Sequence, residues 1–507
     1  MKREHFEVLI VAIVGAAVGL FVQNTTPVGV FHDDGQYIIL ARSIAEQGTY
    51  RFDNLPGAPP GLHYPPGFPL FLAMMWKLAP GDIGAFRMAN GLLLGAAAVA
   101  IFACARAVFG LSKRTAAVVA VAVAASAPLV WLNSMLLSET LFIAALCATL
   151  AIEAHGRDRG TWWHAGAGAA AAGAALVRSI GDPLGVIFIG ERLLRRKWRD
   201  AAMLAGGWLA VLAPWKLWLR AHSADMPASF AGAYGDYGAW WISAMREHGT
   251  PFLRDVVQEN ASQLPITLSV LQWGEVPVMR WIVPAIFIAI AIVGAVRAQR
   301  ARVALTFTGV YLAIVFIWPF APDRFLMVLA PIVVGAFAVG AGVVANAVVL
   351  RGRAYVWTAG VVAVILGAPL LRMYDLGLRA QTWQRGLSER SEAGRAAARL
   401  VRVLPPNARI ATDYDELVHI ETGRMLMPAR GLTAAEYVRP PSDSLAGERL
   451  RELVVSQGVT HIVVADVPTL RAVGWLSTHG VPMRPIVSDS AGAVVYVRVP
   501  VNPPGAQ

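Results

Sequence analysis

Two adjacent carboxylates, Asp33 and Asp34, follow closely on the apolar run that opens the chain. Beside low-dielectric lipid, neighbouring acids repel each other and lose solvation, so one of the two should hold its proton more tightly than usual, as suits a general base. The same pair also suits a helix start, with one acid capping free N–H groups and the other at the favourable end of the helix dipole. Both readings are open on the residues alone. Glu139, in NSMLLSETLF (133–142), stands at the end of another apolar run. Carboxylates inside a membrane are costly and usually functional, although near its surface the cost falls enough to allow a structural role.

Arg178 in LVRSIG (176–181) and Arg324 in WPFAPDRFLMVLAP (318–331) also lie at the ends of apolar runs. Two guanidinium groups facing a shared cavity with acids would suit an anionic ligand, phosphate above all, because guanidinium binds it through paired hydrogen bonds. Each Arg taken singly is better explained by snorkelling to the membrane surface. Lys216 and Arg220, in APWKLWLRAH (213–222), carry the same ambiguity. His32 and His63 flank the acids, so a His/Asp metal site can be written down, but the spacing matches no ligand signature. No metal site or cofactor is expected, a divalent ion being the one alternative. The sequence holds no Walker loop, dinucleotide fingerprint, zinc-finger pattern or nucleophile elbow, which argues against a nucleotide-driven pump.

These groups need a membrane scaffold. Of 507 residues, 56% are hydrophobic and only 15% charged, against about 25% charged in soluble domains. The apolar residues fall into blocks approaching the roughly 17–25 that cross a bilayer as a helix, and the runs are too continuous for barrel strands. Eleven spans are expected: the opening run, then 84–109, 115–132, 136–154, 162–178, 182–194, 200–219, 281–297, 303–318, 325–350 and 354–371. The net charge of +11 resides largely in short gaps, at 111–114, 155–161, 195–199, 297–302 and 351–353, as the positive-inside rule expects of cytoplasmic loops. Nucleic acid is therefore not expected as a partner. Cys104 and Cys147 fall inside apolar blocks and read as buried hydrophobes.

The apolar stretch 65–80 cannot cross without inverting every later loop, so it is expected to lie along the outer face as an interfacial or re-entrant helix. DDGQYIILARSIAEQG (33–48) reads as a second helix along the membrane, with Arg42 and Glu46 at i,i+4. Both fall in one external loop, 27–83. A second external segment, 221–280, is polar and aromatic. From 372 to 507 the composition becomes that of a soluble domain with alternating helices (391–404, 445–458) and strands (408–414, 460–467, 494–499), so residues 1–371 form a membrane domain and 372–507 a small extracytoplasmic α/β domain. The fold class expected is mostly α and polytopic, with the N-terminus in the cytoplasm, the C-terminal domain outside and VNPPGAQ as a disordered tail.

HDDGQYIILARSIAEQGTY (32–50), followed by HYPPGFPLFLAMMWKLAPGDIGAFRMANGLL (63–93), resembles the first external loop of the GT-C membrane glycosyltransferases, in particular those related to protein O-mannosyltransferases and to the lipid A aminoarabinose transferase. SETLF (138–142), LVRSIG, DRFLMVLAP (323–331) and LPPNARIATDYDELVHIETGR (404–424) resemble later landmarks of that superfamily, in order. Each motif is loose; their order carries the resemblance over essentially the whole chain.

The resemblance implies a polyprenyl-phosphate-linked sugar as donor, a lipid, glycan or protein acceptor on the extracytoplasmic face of the inner membrane, and two interfacial helices in the first loop. It implies Asp33 as catalytic base of an inverting displacement, with Asp34 where Glu is commoner. Glu139 is expected to orient the acceptor or an Arg, and Arg178 and Arg324, with Lys216 and Arg220 as weaker candidates, to hold the donor phosphate. Tyr37, His63, Tyr64, Tyr234, Tyr237, Trp240 and Trp241 are expected to shape an acceptor or sugar groove, although interfacial anchoring explains the aromatic segment as well. A lipid-sugar flippase is the rival class; it would also use intramembrane charges, but such transporters often carry inverted repeats, and no repeat is evident here. A receptor or assembly factor would leave Asp33 without a role.

Overall fold

The computed structural model describes residues 6–270, 279–347, 356, 357, 360 and 387–499. The apolar blocks form a helical bundle: α1 (Phe6–Phe21), α4 (Ile83–Ala107), α5 (Lys113–Ala124), α6 (Ala127–Asn133), α7 (Glu139–Gly156), α8 (Thr161–Val177), α9 (Pro183–Leu194), α10 (Trp198–His222), α13 (Met279–Arg297), α14 (Arg302–Ile317) and α16 (Ala330–Ala347). Within this bundle α4, α7, α10, α14 extended by the short turn before it, and α16 are long and apolar enough to cross a membrane. The span expected at 115–132 is instead two short helices, α5 and α6, broken at Ala125 and Ser126. α9, within the span expected at 182–194, has 12 residues, about 18 Å of helix against a hydrocarbon core of roughly 30 Å. The last expected span, 354–371, lies almost entirely outside the described residues, as do the junction at 371/372 and the VNPPGAQ tail.

Lipid supplies no hydrophobic drive between helices, so close backbone approach at small residues does the packing. Gly294 of α13 and Gly340 of α16 face each other's backbones so closely that a Cβ on Gly294 would meet the Ala336 carbonyl oxygen at 1.8 Å. Gly19 of α1 and Gly91 of α4 make a similar crossing.

Both loop helices expected between residues 27 and 83 are present, as α2 (Asp33–Gln47) and α3 (Gly67–Leu78). α3, also about 18 Å long, buries Phe68, Leu72 and Ala73 and exposes Leu70, Met74 and Leu78. That i,i+4 stripe gives α3 an exposed apolar face. The 221–280 segment is far more helical than its irregular aromatic start suggests. It contains α11 (Ala231–Tyr234) and α12 (Tyr237–Val270), the latter interrupted at Gly249. α15 (Asp323–Met327) precedes α16 as a separate turn.

The C-terminal unit is α/β, as expected: α17 (Leu387–Arg402), β1 (Ile410–Thr412), α18 (Asp415–Thr422), β2 (Leu426–Pro428), α19 (Asp443–Ser456), β3 (His461–Val464), α20 (Val467–Thr478), β4 (Met483–Ser488) and β5 (Val494–Arg498). Its sheet runs β2-β1-β3-β5-β4, parallel from β2 to β3 and antiparallel at β5 and β4. One apolar cluster continues from α2 and α3 through Phe230 and Tyr234 into Met427, Leu453 and Ile462, so the sheet unit and the first loop share a core.

Candidate active site

Four of the charged residues singled out from sequence meet in one place. Asp33 begins α2, Glu139 begins α7, Arg178 ends α8 and Arg324 lies in α15. Asp33, Arg178 and Arg324 line a cavity of about 550 Å³ walled by Tyr37, Tyr64, Tyr237 and Trp318, and Glu139 is paired with the two arginines. Glu139 is fully buried. Its Oε1 lies 2.7 Å from Nη1 of Arg178 and accepts a hydrogen bond from Nε of Arg324. Arg324 extends its Nη1 to 2.7 Å from Oδ2 of Asp33. Arg178 and Tyr37 both reach Oγ of Ser138, at 3.0 Å each. Buried ions survive only when paired and hydrogen-bonded; each of the four is paired, while Oε2 of Glu139 is buried without a partner among the described residues. Nη2 of Arg324 is buried and has no partner among the described residues.

The two acids of the first loop part company. Burial pushes Asp33 up, but Arg324 and the Tyr64 hydroxyl, which donates to it, hold its carboxyl below the usual carboxylate range. Asp34 turns away from the cavity and accepts from the backbone N–H of Phe31 (3.2 Å) and Gly35 (3.0 Å). Burial raises it to about 6. The proton-holding acid that repulsion predicts is therefore Asp34, and its oxygens are occupied by backbone.

The aromatic expectation divides as well. Tyr37 and Tyr64 pack with ring centroids 4.5 Å apart, and Tyr237 stands 3.8 Å from the His63 ring. Nδ1 of His63 donates to the Gly235 carbonyl at 2.7 Å, which ties the loop to the start of α12. Trp240 stacks on Phe320 at the rim. Tyr234 lies outside the cavity: it is fully buried, receives a hydrogen bond from Asn54 and donates one to Asp415 of the sheet unit. Trp241 donates to the Ile317 carbonyl. Lys216 pairs with Asp182 at 2.7 Å. It lines, with Arg220, a second groove of about 680 Å³ along α9, α10 and α14, and Asp182 and Pro183 border both spaces.

Two buried polar residues, Asn260 and Glu416, escaped the sequence reading. Asn260 is fully buried and its Nδ2 donates to the carbonyls of Val315 (3.1 Å), Phe316 (3.2 Å) and Trp318 (2.8 Å), holding the segment that leads to Arg324. Tyr437 of the sheet unit donates to Oδ1 of Asn260 at 2.6 Å. Glu416, at the start of α18, receives Nε2 of Gln36 at 2.9 Å and lies 3.0 Å from Nδ1 of His32. Nothing local in the sequence pointed to either residue, because the burial of each is set by distant segments.

Among the described residues, His32, Asp415 and Glu416 form the tightest group of potential metal ligands, within 4.8 Å of one another. Their carboxylates already receive Tyr234, Asn54, Gln36 and His32, so the group is a satisfied ion-pair cluster. These residues do not fit a metal.

No family model matches the chain, and no curated protein matches it in sequence. Solved structures do match in fold. ArnT from Cupriavidus metallidurans bound to undecaprenyl phosphate is 17% identical, covers 96% of this chain over 97% of its own, and has a TM-score of 0.53. The archaeal oligosaccharyltransferase AglB from Archaeoglobus fulgidus, in complex with an inhibitory peptide and a dolichol-phosphate, is 12% identical, covering 98% of this chain and 75% of its own with a TM-score of 0.55. A second structure of the A. fulgidus oligosaccharyltransferase, with zinc and sulfate, is 13% identical over 90% of this chain and 67% of its own, with a TM-score of 0.56. At such identities the likeness is one of fold, and it extends over 90% or more of this chain.

Proposed function

We propose that this chain is a membrane glycosyltransferase that moves a sugar from a polyprenyl-phosphate donor to an acceptor hydroxyl or amine on the extracytoplasmic face. The observation that carries the reading is Arg324, which bridges Asp33 and Glu139 at the wall of an aromatic cavity while the N–H of its buried Nη2 has no partner among the described residues. A phosphate oxygen satisfies that N–H, and guanidinium is the side chain best shaped for it. The groove beyond Asp182, with Leu209, Leu212 and Leu217 among its walls, offers an apolar course for the prenyl tail. The two fold neighbours solved with undecaprenyl phosphate and dolichol-phosphate support the same donor class.

The step is an inverting displacement. Asp33 takes the acceptor proton as the acceptor oxygen or nitrogen bonds to the anomeric carbon. The bond from that carbon to the phosphate oxygen breaks, and its electron pair leaves with polyprenyl phosphate. Arg178 and Arg324 stabilise the developing phosphate charge as preorganised donors. Phosphate bound at Arg324 competes with Asp33 for the guanidinium, so donor binding loosens the contact that holds Asp33 acidic and makes it a better base. Tyr37, Tyr64 and Tyr237 wall the sugar.

Purified protein offered polyprenyl-phosphate sugars and candidate acceptors tests this. Wild type should release polyprenyl phosphate and Asp33→Asn should not. Equal release by both removes Asp33 as the base, and passage of the intact labelled lipid across vesicles by wild type replaces the enzyme with a flippase.

A further inference from the structure

The residue before Asp33 sits in an uncommon backbone conformation. His32 has φ 61 and ψ −60, and the Asp33 amide donates to the Phe31 carbonyl two residues back at 2.7 Å. Together these define a γ-turn with positive φ at its centre, the strained form of that turn, occupied here by a residue with a Cβ. Such strain persists where surrounding structure holds it. The holding group comes from the other end of the chain. Glu416, whose side chain is only 1% exposed, lies 3.0 Å from Nδ1 of His32 and receives Nε2 of Gln36 at 2.9 Å. One carboxylate of the sheet unit thus grips the residue before Asp33 and the residue three after it. Meanwhile Asp33 itself reaches to Arg324 in the cavity.

The approach of α18 to this turn is as close as backbone allows. A Cβ on Gly35 would lie 2.5 Å from the Glu416 Cβ, and one on Gly29, itself at φ 94, would lie 2.5 Å from the Leu417 nitrogen. Glycine at 29 and 35 therefore admits Glu416 to the turn, where any larger residue would push it away.

We infer that Glu416, acting through His32, is a positioning residue for Asp33, so that the C-terminal α/β unit completes the catalytic turn. The inference rests on the glycosyl-transfer reading for the role of Asp33. Its geometry, a strained turn clamped from a separate unit, stands without that reading.

The test is transfer kinetics in purified full-length protein, with polyprenyl-phosphate binding and thermal unfolding measured alongside. Glu416→Gln keeps the shape and removes the charge. It should lower kcat on the order of 10- to 100-fold, the cost of misplacing a reacting group by about an ångström, while donor KM and polyprenyl-phosphate binding stay near wild type. His32→Ala keeps the backbone strain without the clamp and should lose more kcat than His32→Gly, since glycine adopts positive φ freely. In the His32→Gly background, adding Glu416→Gln should cost nothing further.

Equal kcat for His32→Ala and His32→Gly, or additive losses in the double variant, overturns the inference. So does a Glu416→Gln protein whose kcat matches wild type, or whose loss follows the folded fraction alone. The Asp33→Asn control separates the two claims. If it turns over like wild type, the base assignment fails; if it is inactive while Glu416→Gln is fully active, the clamp alone fails.

Discussion

Nη1 of Arg324 lies 2.7 Å from Oδ2 of Asp33, and the same guanidinium donates to the buried Glu139. Asp33 therefore has one oxygen tied to the residue proposed to receive the donor phosphate, which couples donor binding to base strength through a single side chain. Asp33→Asn keeps the shape and loses the base. It should lower kcat by about 10²–10⁴-fold, the usual contribution of general-base catalysis, with polyprenyl-phosphate binding retained, as read by steady-state kinetics and a separate lipid-binding measurement.

Arg324 also sets the pH dependence. With Arg324 and Tyr64 beside it, Asp33 stays ionised below the ordinary carboxylate range, so the acid limb of kcat/KM in wild type should lie below that range too. Removing the cation raises the Asp33 pKa, and less of the base is then ionised at any acid pH. Arg324→Ala should move the acid limb upward and raise donor KM. A pH profile of kcat/KM that keeps its acid limb in Arg324→Ala would contradict the coupling.

Asn260 supplies the hydrogen bonds for three carbonyls that precede the Arg324 segment. Asn260→Leu leaves those carbonyls and the Tyr437 hydroxyl without this partner. Each unsatisfied buried group costs about 1–3 kcal/mol, so the variant should unfold at lower temperature and lose donor affinity together. Tyr437→Phe removes a single hydrogen bond and should cost about 0.5–1.5 kcal/mol. Thermal unfolding in detergent, paired with lipid binding, distinguishes the two.

His32 should make the fold sensitive to alkaline pH. Its imidazole is half-exposed, so the effect is screened; partial loss of solvation pulls it down, but Glu416 beside it, with Asp415 and Asp33 nearby, lifts it to about 9 from an ordinary 6.5. A raised folded pKa means that the stabilisation is complete below 6.5 and is lost as pH rises through about 9. Wild type should therefore lose thermal stability across that window, and His32→Gly should show a flatter profile there. Identical profiles for the two proteins would remove His32 as the titrating group.

The bundle itself depends on close helix crossings. Gly294→Val inserts side-chain atoms where a Cβ alone would lie 1.8 Å from the Ala336 carbonyl oxygen, so α13 and α16 must move apart. Overpacking of this kind costs typically about 1–3 kcal/mol and occasionally more. The yield of folded, monodisperse protein should fall sharply, whereas substitution at Gly309, with nothing within 4 Å, should be tolerated.

Much of the architecture was readable along the chain because it depends on local periodicity. Long apolar blocks announced the helical bundle, and the i,i+4 pattern of 33–48 announced α2. The charge asymmetry of the gaps led to the expectation that α3 lies flat, and in the structure it is a helix of 12 residues. Asp33, Glu139, Arg178 and Arg324 were each marked by one rule, a charge at the end of an apolar run, and that rule is local too. Where local rules conflicted, the helix boundaries slipped. The break between α5 and α6 at Ala125 and Ser126, ahead of Pro128, lies within a run that hydropathy reads as continuous.

What only the tertiary structure decided is which of these groups meet and which way they face. Asp33 and Asp34 are indistinguishable in sequence, yet one reaches Arg324 and the other the amides of Phe31 and Gly35. Tyr234 and Tyr237 lie three residues apart, yet one binds Asp415 while the other walls the cavity. Glu416 acts on His32 across 384 positions of chain, a distance at which no periodicity carries information. Composition and pattern report what each segment must bury, and so they determined a membrane bundle with acids and cations at one boundary. The partner of a buried charge is chosen by whichever segment folding brings within about 3 Å to offset its desolvation, and that choice exists only in three dimensions.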